Sequence, residues 1–432
     1  MFRLNMPTYE ALFEELSAPP RASKPAGAFS DEQRAALACP ARNHAVVLAG
    51  AGAGKTRVLV ERAAQLLLNG ADPKAMAVVT FTRQAAHELR DRLKTRLGAK
   101  RALPYCGTVH ALAYGCAKRS SLAAKVVDDE ALVALLDEMR HVLPEYSDAM
   151  SAREALTEIC RYREQDRVEG PWFSAARHLD ELLSSRGLMD FTHMLSWSAQ
   201  HARPFLDYVL VDEAQDLTAL QLRFLERVAR PGCVFWFIGD DDQSIYAFRG
   251  GEAGVMSRLA QRCGQRYSLT RNYRSARLIV DYAYNVIAFN PQRTNVRWSS
   301  ARDDDGSLEV RAFDTDSHEL AAVRQWLDAN PRRAALARTQ ALVEPLKRAG
   351  LAAFTVHESK GREWLEVWVL GCEAGMFPHP MSGRDEERRL FYVAMTRAGD
   401  SLIMSYACQR GKTLETRHPS PFLFETQALQ AR

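Results

Sequence analysis

The 432-residue chain has no Cys-x-x-Cys pair: its eight cysteines (Cys39, Cys106, Cys116, Cys160, Cys233, Cys263, Cys372 and Cys408) stand singly. That spacing argues against a zinc ribbon or an iron–sulfur cluster and fits packed, reduced thiols. No apolar run approaches the roughly 20 residues needed to span a bilayer. The first residues, "MFRLNMPTYEALFEELSAPPRASKP", lack the apolar core of a signal peptide, so a cytoplasmic protein with no membrane partner is expected. Repeats of solenoid period are missing too. Charge of one sign is scarce: 57 basic residues against 53 acidic ones leave a net +4. Any nucleic-acid binding must therefore come from a local surface, not from bulk charge.

What is present begins with an appendage. Residues 1–28 combine a short helix candidate, "YEALFEEL", with the Pro/Ala-rich "SAPPRASKPAG", and read as a flexible tail or a docking peptide for a protein partner. From residue 29 strands and helices alternate, which predicts an α/β chain with parallel sheets covered on both faces. "AVVLA" (45–49), "AVVTF" (77–81), "YVLVD" (208–212) and "VFWFIGD" (234–240) read as buried strands. Leu59, Ala63 and Leu66 form one stripe of a helix that follows the first of them. Residues 114–206 break the rhythm and read as a helical insertion. "LEVRAF", "AALAR", "EVWVLG" and "SLIMSYA", between 308 and 407, predict a second α/β domain. The expected division is a first domain over 29–268 and a second over 269–432.

Chemistry enters at "AVVLAGAGAGKTRVLV". The loop Gly50, Ala51, Gly52, Ala53 and Gly54 runs from strand to helix, and its backbone N–H groups can wrap phosphates. Lys55 can reach the β and γ oxygens, Thr56 can hold Mg²⁺, and Arg57 follows at the loop's edge. Ala49 stands where the usual pattern begins with glycine, a departure of one methyl group. A phosphate loop needs a metal carboxylate at the end of another strand. "YVLVDEAQD" supplies Asp212 for Mg²⁺ and Glu213 to activate the attacking water. Upstream, Gln33 in "FSDEQRAAL" offers an amide that could read an adenine edge.

Residues 238–251, "IGDDDQSIYAFRGG", place an amide, two aromatics and an arginine behind three carboxylates at a strand end. With "GAGAGKT", "VLVDEAQD" and this stretch in line, the chain resembles a superfamily 1 DNA helicase of the UvrD/Rep type. The likeness continues through "TFTRQAAHELRDRL" (80–93), "GTVHALAY" (107–114), "LMDFTHML" (188–195), "LTRNYRS" (269–275), "TVHESKGREW" (355–364) and "EERRLFYVAMTRA" (386–398).

The resemblance implies two RecA-like phosphate-loop domains, with ATP and Mg²⁺ in the cleft between them, and 3′-to-5′ movement on single-stranded DNA. A duplex with a 3′ tail is a further substrate it implies. Gln243 resembles the family's γ-phosphate sensor. Arg274 in "NYRS" and Arg397 in "MTRA" resemble its two phosphate arginines. Tyr273 would stack on adenine, and Glu363 stands at a position near the nucleotide sugar and phosphates. Phe81, Thr82, Thr108, His110, Tyr246, Phe248, Arg249 and His357 would line the strand groove. Arg397 falls near the end of a predicted helix, with Gly399 as its stop.

The chain also departs from the pattern. Family members carry a helical subdomain (2B) in the second domain before "TVHESKG", whereas here only ten residues separate Glu344 from Thr355. A compact form lacking that insertion is expected, with strand separation less secure than translocation. Arg362 replaces an apolar residue. A rival reading makes the chain an adaptor in which ATP switches affinity for a strand, tethered to a partner by its tail. The full catalytic set argues against it.

Overall fold

Strand β1 (Ala45–Ala49) is buried at all five positions, and so is β2 (Met76–Thr80). Only strands covered on both faces can be apolar throughout. The computed structural model describes residues 27–119, 125–140, 150–246, 250–251, 254–291, 293, 296–411 and 415–428. The expected tail, apart from its last two residues, lies outside them.

The chain divides into two units. The first holds residues up to 47, 55–239 and 246–267; the second holds 48–54, 240–245 and 268–432. After β1 and β2 come β3 (Tyr105–Thr108), β4 (Lys125–Val126), β5 (Leu188–Met189), β6 (Leu206–Val211), β7 (Ala229–Gly239) and β8 (Gln265–Leu269). They form a six-stranded sheet in the order β3-β2-β6-β7-β1-β8, with β4 and β5 as a separate two-residue pair. The register sets Thr80 opposite Thr108 and Val79 opposite Val211. The carboxyl ends of β2, β3 and β6 therefore finish on one edge, where α/β sheets place their ligands.

Between β3 and β6 lie helices Val109–Arg119, Asp129–Met139, Ala152–Glu164, Phe173–Ser185 and Phe191–His201. The helical stretch begins at Val109, five residues earlier than residue 114, because the chain enters a helix directly from β3. These helices have a core of their own, with Leu132, Leu136, Leu156, Ile159, Leu179 and Leu183 at its centre. Ala155, Leu156, Ile159 and Tyr162 form the helical stripe that faces it. Ser151 and Glu154 start that helix with a reciprocal capping box. Near its end, Arg163 pairs with Asp190 at 2.6 Å and Asp180 at 2.7 Å. A buried guanidinium needs such acceptors.

The second unit contains β9 (Arg271–Asn272), β10 (Ser299–Ser300), β11 (Ser307–Thr315), β12 (Arg333–Ala337), β13 (Ala353–Thr355), β14 (Trp364–Leu370), β15 (Ala398–Arg410) and β16 (Glu415–Thr416). Its sheet runs β11-β15-β14-β12-β13, all parallel, and β16 adds antiparallel to β15. A single helix, Gln340–Arg348, links β12 to β13. Helix Arg384–Met395 ends before Arg397, and Gly399 lies inside β15 instead of serving as its stop. Thr396 ends the helix: its N–H and hydroxyl both donate to the Tyr392 carbonyl at 3.0 Å.

Candidate nucleotide and strand site

From β1 the chain turns through Gly50–Gly54 into helix Lys55–Leu68. Gly52 and Gly54 have φ of +67° and +82°, a left-handed conformation that side chains resist. Lys55 and Thr56 open the helix, whose first N–H groups have no intrahelical acceptor and suit an anion. Lys55 is buried, with Nζ 3.8 Å from Glu213 Oε2. The Thr56 hydroxyl donates to Asp212 Oδ2 at 3.1 Å. Asp212 leaves β6 with its N–H on the Val79 carbonyl at 2.8 Å, which fixes it beside β2.

Burial, then the neighbouring Glu213 charge, pushes the Asp212 carboxyl up to about 7; Lys55 and Thr56 offset only part of this. A nearby divalent cation would favour the ionised form of this buried carboxyl. One carboxylate and one hydroxyl match the way Mg²⁺ binds, with water and phosphate completing its shell. Among the described residues no cluster of three or more His, Cys, Asp or Glu side chains could hold a metal ion.

Glu213 has φ +50° and ψ 44°. A left-handed backbone costs a residue with a side chain roughly 1–2 kcal/mol, so the surroundings must hold it. The fully buried Gln215 does so, donating its amide to Glu213 Oε2 at 2.7 Å. Gly239 permits this arrangement, since a Cβ there would lie 2.3 Å from Gln215 Oε1.

A single pocket joins this chemistry to the expected strand face. Asp212 and Glu213 line it together with Phe81, Thr108 and His110. Phe81 stacks on Tyr246, with ring centroids 4.6 Å apart at 19°. Tyr246 is only 5% exposed, so it backs Phe81 instead of offering an open ring. Thr82 caps helix Arg83–Leu97 by accepting from the Ala85 N–H at 3.1 Å, and Thr108 accepts from the Ala111 N–H at 3.2 Å. Phe248 and Arg249 lie outside the described residues.

The second unit gathers the remaining candidates. Gln243 donates its amide to Asp240 Oδ2 at 2.7 Å and accepts from Arg397 Nη2 at 3.2 Å. Arg397 is buried and also donates to the Val393 and Arg362 carbonyls at 3.2 Å. Arg274 pairs with the Glu363 carboxylate and donates to the Thr396 carbonyl at 3.1 Å. Tyr273 is 46% exposed, and its N–H donates to the Gly52 carbonyl at 2.9 Å. His357 is half-buried in the turn after β13, where Thr355 N–H donates to Glu358 Oε2 at 2.7 Å and Glu358 N–H to the Thr355 hydroxyl at 3.3 Å.

Two nucleotide candidates serve local structure as well. Gln33 is buried as the third residue of helix Asp31–Leu37 and completes a capping box with Ser30. The Arg57 guanidinium lies 4.1 Å over the Phe29 ring and donates to the Gly27 carbonyl.

Other participants were not singled out by the sequence. Asp240 orients Gln243, and its place in "GDDDQS" was the available signal. Lys360 donates to the Gln243 carbonyl at 3.0 Å. Trp298 and Asn272 close on the glycines: a Cβ at Gly50 would lie 2.6 Å from the Trp298 ring, and one at Gly52 would lie 2.6 Å from Asn272 Oδ1. Nothing local marks Trp298, because its contact spans almost 250 residues of chain.

Residues 29–264 match the UvrD/REP helicase N-terminal domain, over more than half of the chain. The chain belongs to the UvrD/REP helicase family. Residues 332–409 match the UvrD-like helicase C-terminal domain. Within the family the chain is similar to DNA helicase II of Salmonella typhimurium, 30% identical over 363 residues, covering 75% of this chain and 50% of that protein. It is similar to ATP-dependent DNA helicase Rep of Escherichia coli, 29% identical over 320 residues, covering 66% of this chain and 47% of that protein. A probable DNA helicase of Mycoplasma pneumoniae is 26% identical over 445 residues, covering 87% of this chain and 83% of that protein. The chain spans about half the length of the DNA helicase II and Rep proteins it matches. For this UvrD/REP chain the Lys55–Thr56–Asp212–Glu213 group is the candidate hydrolytic centre.

Proposed function

We propose that the chain is an ATP-driven motor on single-stranded DNA, a translocase moving 3′ to 5′ that can act as a DNA helicase on a duplex with a 3′ tail. The observation that carries this reading is the pocket lined by Asp212 and Glu213 together with Phe81, Thr108 and His110. Hydrolytic carboxylates and strand-facing side chains share one cavity, so occupancy of one side bears on the other.

In this reading the loop 50–54 and Lys55 bind the ATP phosphates, Thr56 and Asp212 hold Mg²⁺, and Glu213 takes the proton of the attacking water. The ion would neutralise the phosphates. Gln243 senses the terminal phosphate, Arg274 and Arg397 supply charge to it, and Tyr273 stacks on adenine with Gln33 at its edge. Arg57 and Glu363 complete the nucleotide's surroundings. Phe81, Thr82, Phe248, Arg249 and His357 bind the strand beside Thr108 and His110, with Tyr246 backing the Phe81 ring. Stacking on aromatic side chains ignores base identity, which suits movement along any sequence. We place this motor in the cytoplasm, on nucleoid DNA, with domains over 29–268 and 269–432 and the residue 1–28 tail as a docking segment.

The deciding experiment is steady-state ATP hydrolysis without polymer, with single-stranded DNA and with single-stranded RNA, alongside Lys55→Ala. Stimulation by DNA that Lys55→Ala abolishes is the expected result. A flat, low rate in all three conditions would overturn the motor and favour the tethered adaptor.

A further inference from the structure

Glu164 ends helix Ala152–Glu164 of the insertion and is buried, 6% exposed. Its two oxygens are divided. Oε2 accepts from the Thr218 hydroxyl at 2.7 Å; Oε1 accepts from the Thr192 hydroxyl at 3.2 Å and lies 3.8 Å from His110 Nε2. Gly250 packs on the same side chain, since a Cβ there would sit 2.7 Å from Glu164 Cβ. One carboxylate thus reaches "GTVH", "DFTHML" and the end of "DEAQDLT", while the Cβ of the same residue lies beside the glycine that follows "AFR".

We infer that Glu164 is a positioning residue that transmits strand occupancy at His110 to the loop carrying Asp212 and Glu213. The inference rests on the proposed motor function and adds a route for its regulation. Thr218 is held from both sides: its hydroxyl donates to Glu164 and accepts from the Gln221 N–H at 3.2 Å, starting helix Ala219–Val228. Displacing Glu164 therefore moves the end of the hydrolytic loop or breaks a buried hydrogen bond. The insertion gives the carboxylate a rigid mount, because the adjacent Arg163 is locked by Asp190 and Asp180. His110 and Gln221 line the same pocket as Asp212, so both ends of the route open onto the site.

The test measures ATP hydrolysis by the full chain, with and without saturating single-stranded DNA, in wild type, Glu164→Ala, Glu164→Gln and Thr192→Val. Glu164→Ala should keep its basal rate and KM for ATP within about twofold while losing roughly fivefold or more of the stimulation, the lower end of usual coupling strengths. Glu164→Gln retains a carbonyl acceptor and should keep about half of the stimulation or more. Thr192→Val, close to isosteric, should lose less than Glu164→Ala. Undiminished stimulation in Glu164→Ala would overturn the inference, as would basal and stimulated rates falling in proportion. Should Glu164→Ala show no cooperative melting, Thr192→Val decides by the same criterion. A wild type unstimulated by DNA overturns the motor reading, and this inference with it. A stimulated wild type with fully stimulated variants overturns this inference alone.

Discussion

Charge is treated in opposite ways in the two units. In the first, Lys55 and Glu213 stand 3.8 Å apart, and the Asp212 carboxyl is forced up to about 7 by burial and by Glu213. In the second, Arg397 and Arg274 already have acceptors: Gln243, Val393 and Arg362 for one, Glu363 and Thr396 for the other. A buried carboxyl with a raised pKa gains its charged form only beside a cation or donors. A fully engaged arginine must exchange partners before it can serve a phosphate. The difference is one of compensation: at the end of β6 the Asp212 carboxyl is buried beside Glu213, whereas Arg274 and Arg397 of the second unit are each met by several acceptors.

The strongest way to break this comparison is Arg397→Ala. If Arg397 leaves Gln243 for a transferring phosphoryl group, turnover should fall by about 10³-fold or more while ATP affinity changes much less. A loss of only a fewfold, read by single-turnover hydrolysis, would make Arg397 a structural residue of its own unit. Glu213→Gln should come next, lowering turnover by roughly 10²–10⁴ as a lost general base does. Equilibrium binding of ATP and of a DNA strand should survive it, and retained turnover would remove Glu213 from the proton transfer.

Phe81→Ala should weaken single-strand binding by about 1–3 kcal/mol, the worth of one stacked base. Tyr246→Phe should alter it little, since the Tyr246 ring is buried behind Phe81. Fluorescence anisotropy with a labelled oligonucleotide separates the two, and equal losses would contradict the backing role. The smallest effect is expected from Glu363→Gln. Without its ionic partner, Arg274 has less to give up, so KM for ATP should fall by about two- to threefold, a loosened salt bridge being worth up to about 1 kcal/mol. A rise in KM would mean that Glu363 itself contacts the nucleotide.

Both units were legible in outline because their central strands are apolar runs, and "AVVLA" needs burial on two faces. The edge strand β11 was read too, as "LEVRAF", but three other edge strands were not. β3 and β8 flank the first sheet and β13 flanks the second; each is only partly buried and carries no continuous apolar run. The end of helix Arg384–Met395 was misplaced for a related reason. A glycine signals a stop locally, but here the hydroxyl of Thr396 and the demands of β15 set it.

The sequence alone marked the candidate phosphate loop and the candidate strand-end carboxylate, because each is a short local string, while their meeting at Thr56 and Asp212 across 156 residues of chain was left to the fold. It also determined family membership, which rests on short strings in a fixed order. Only the tertiary structure decided which side chains those strings lean on. Asp240 orienting Gln243, Gln215 holding Glu213 in a left-handed turn, Tyr246 behind Phe81 and Glu164 beneath His110 all depend on strand register and burial. Such contacts leave no trace in local spacing, since nothing near Glu164 in the chain marks the threonines that need its oxygens.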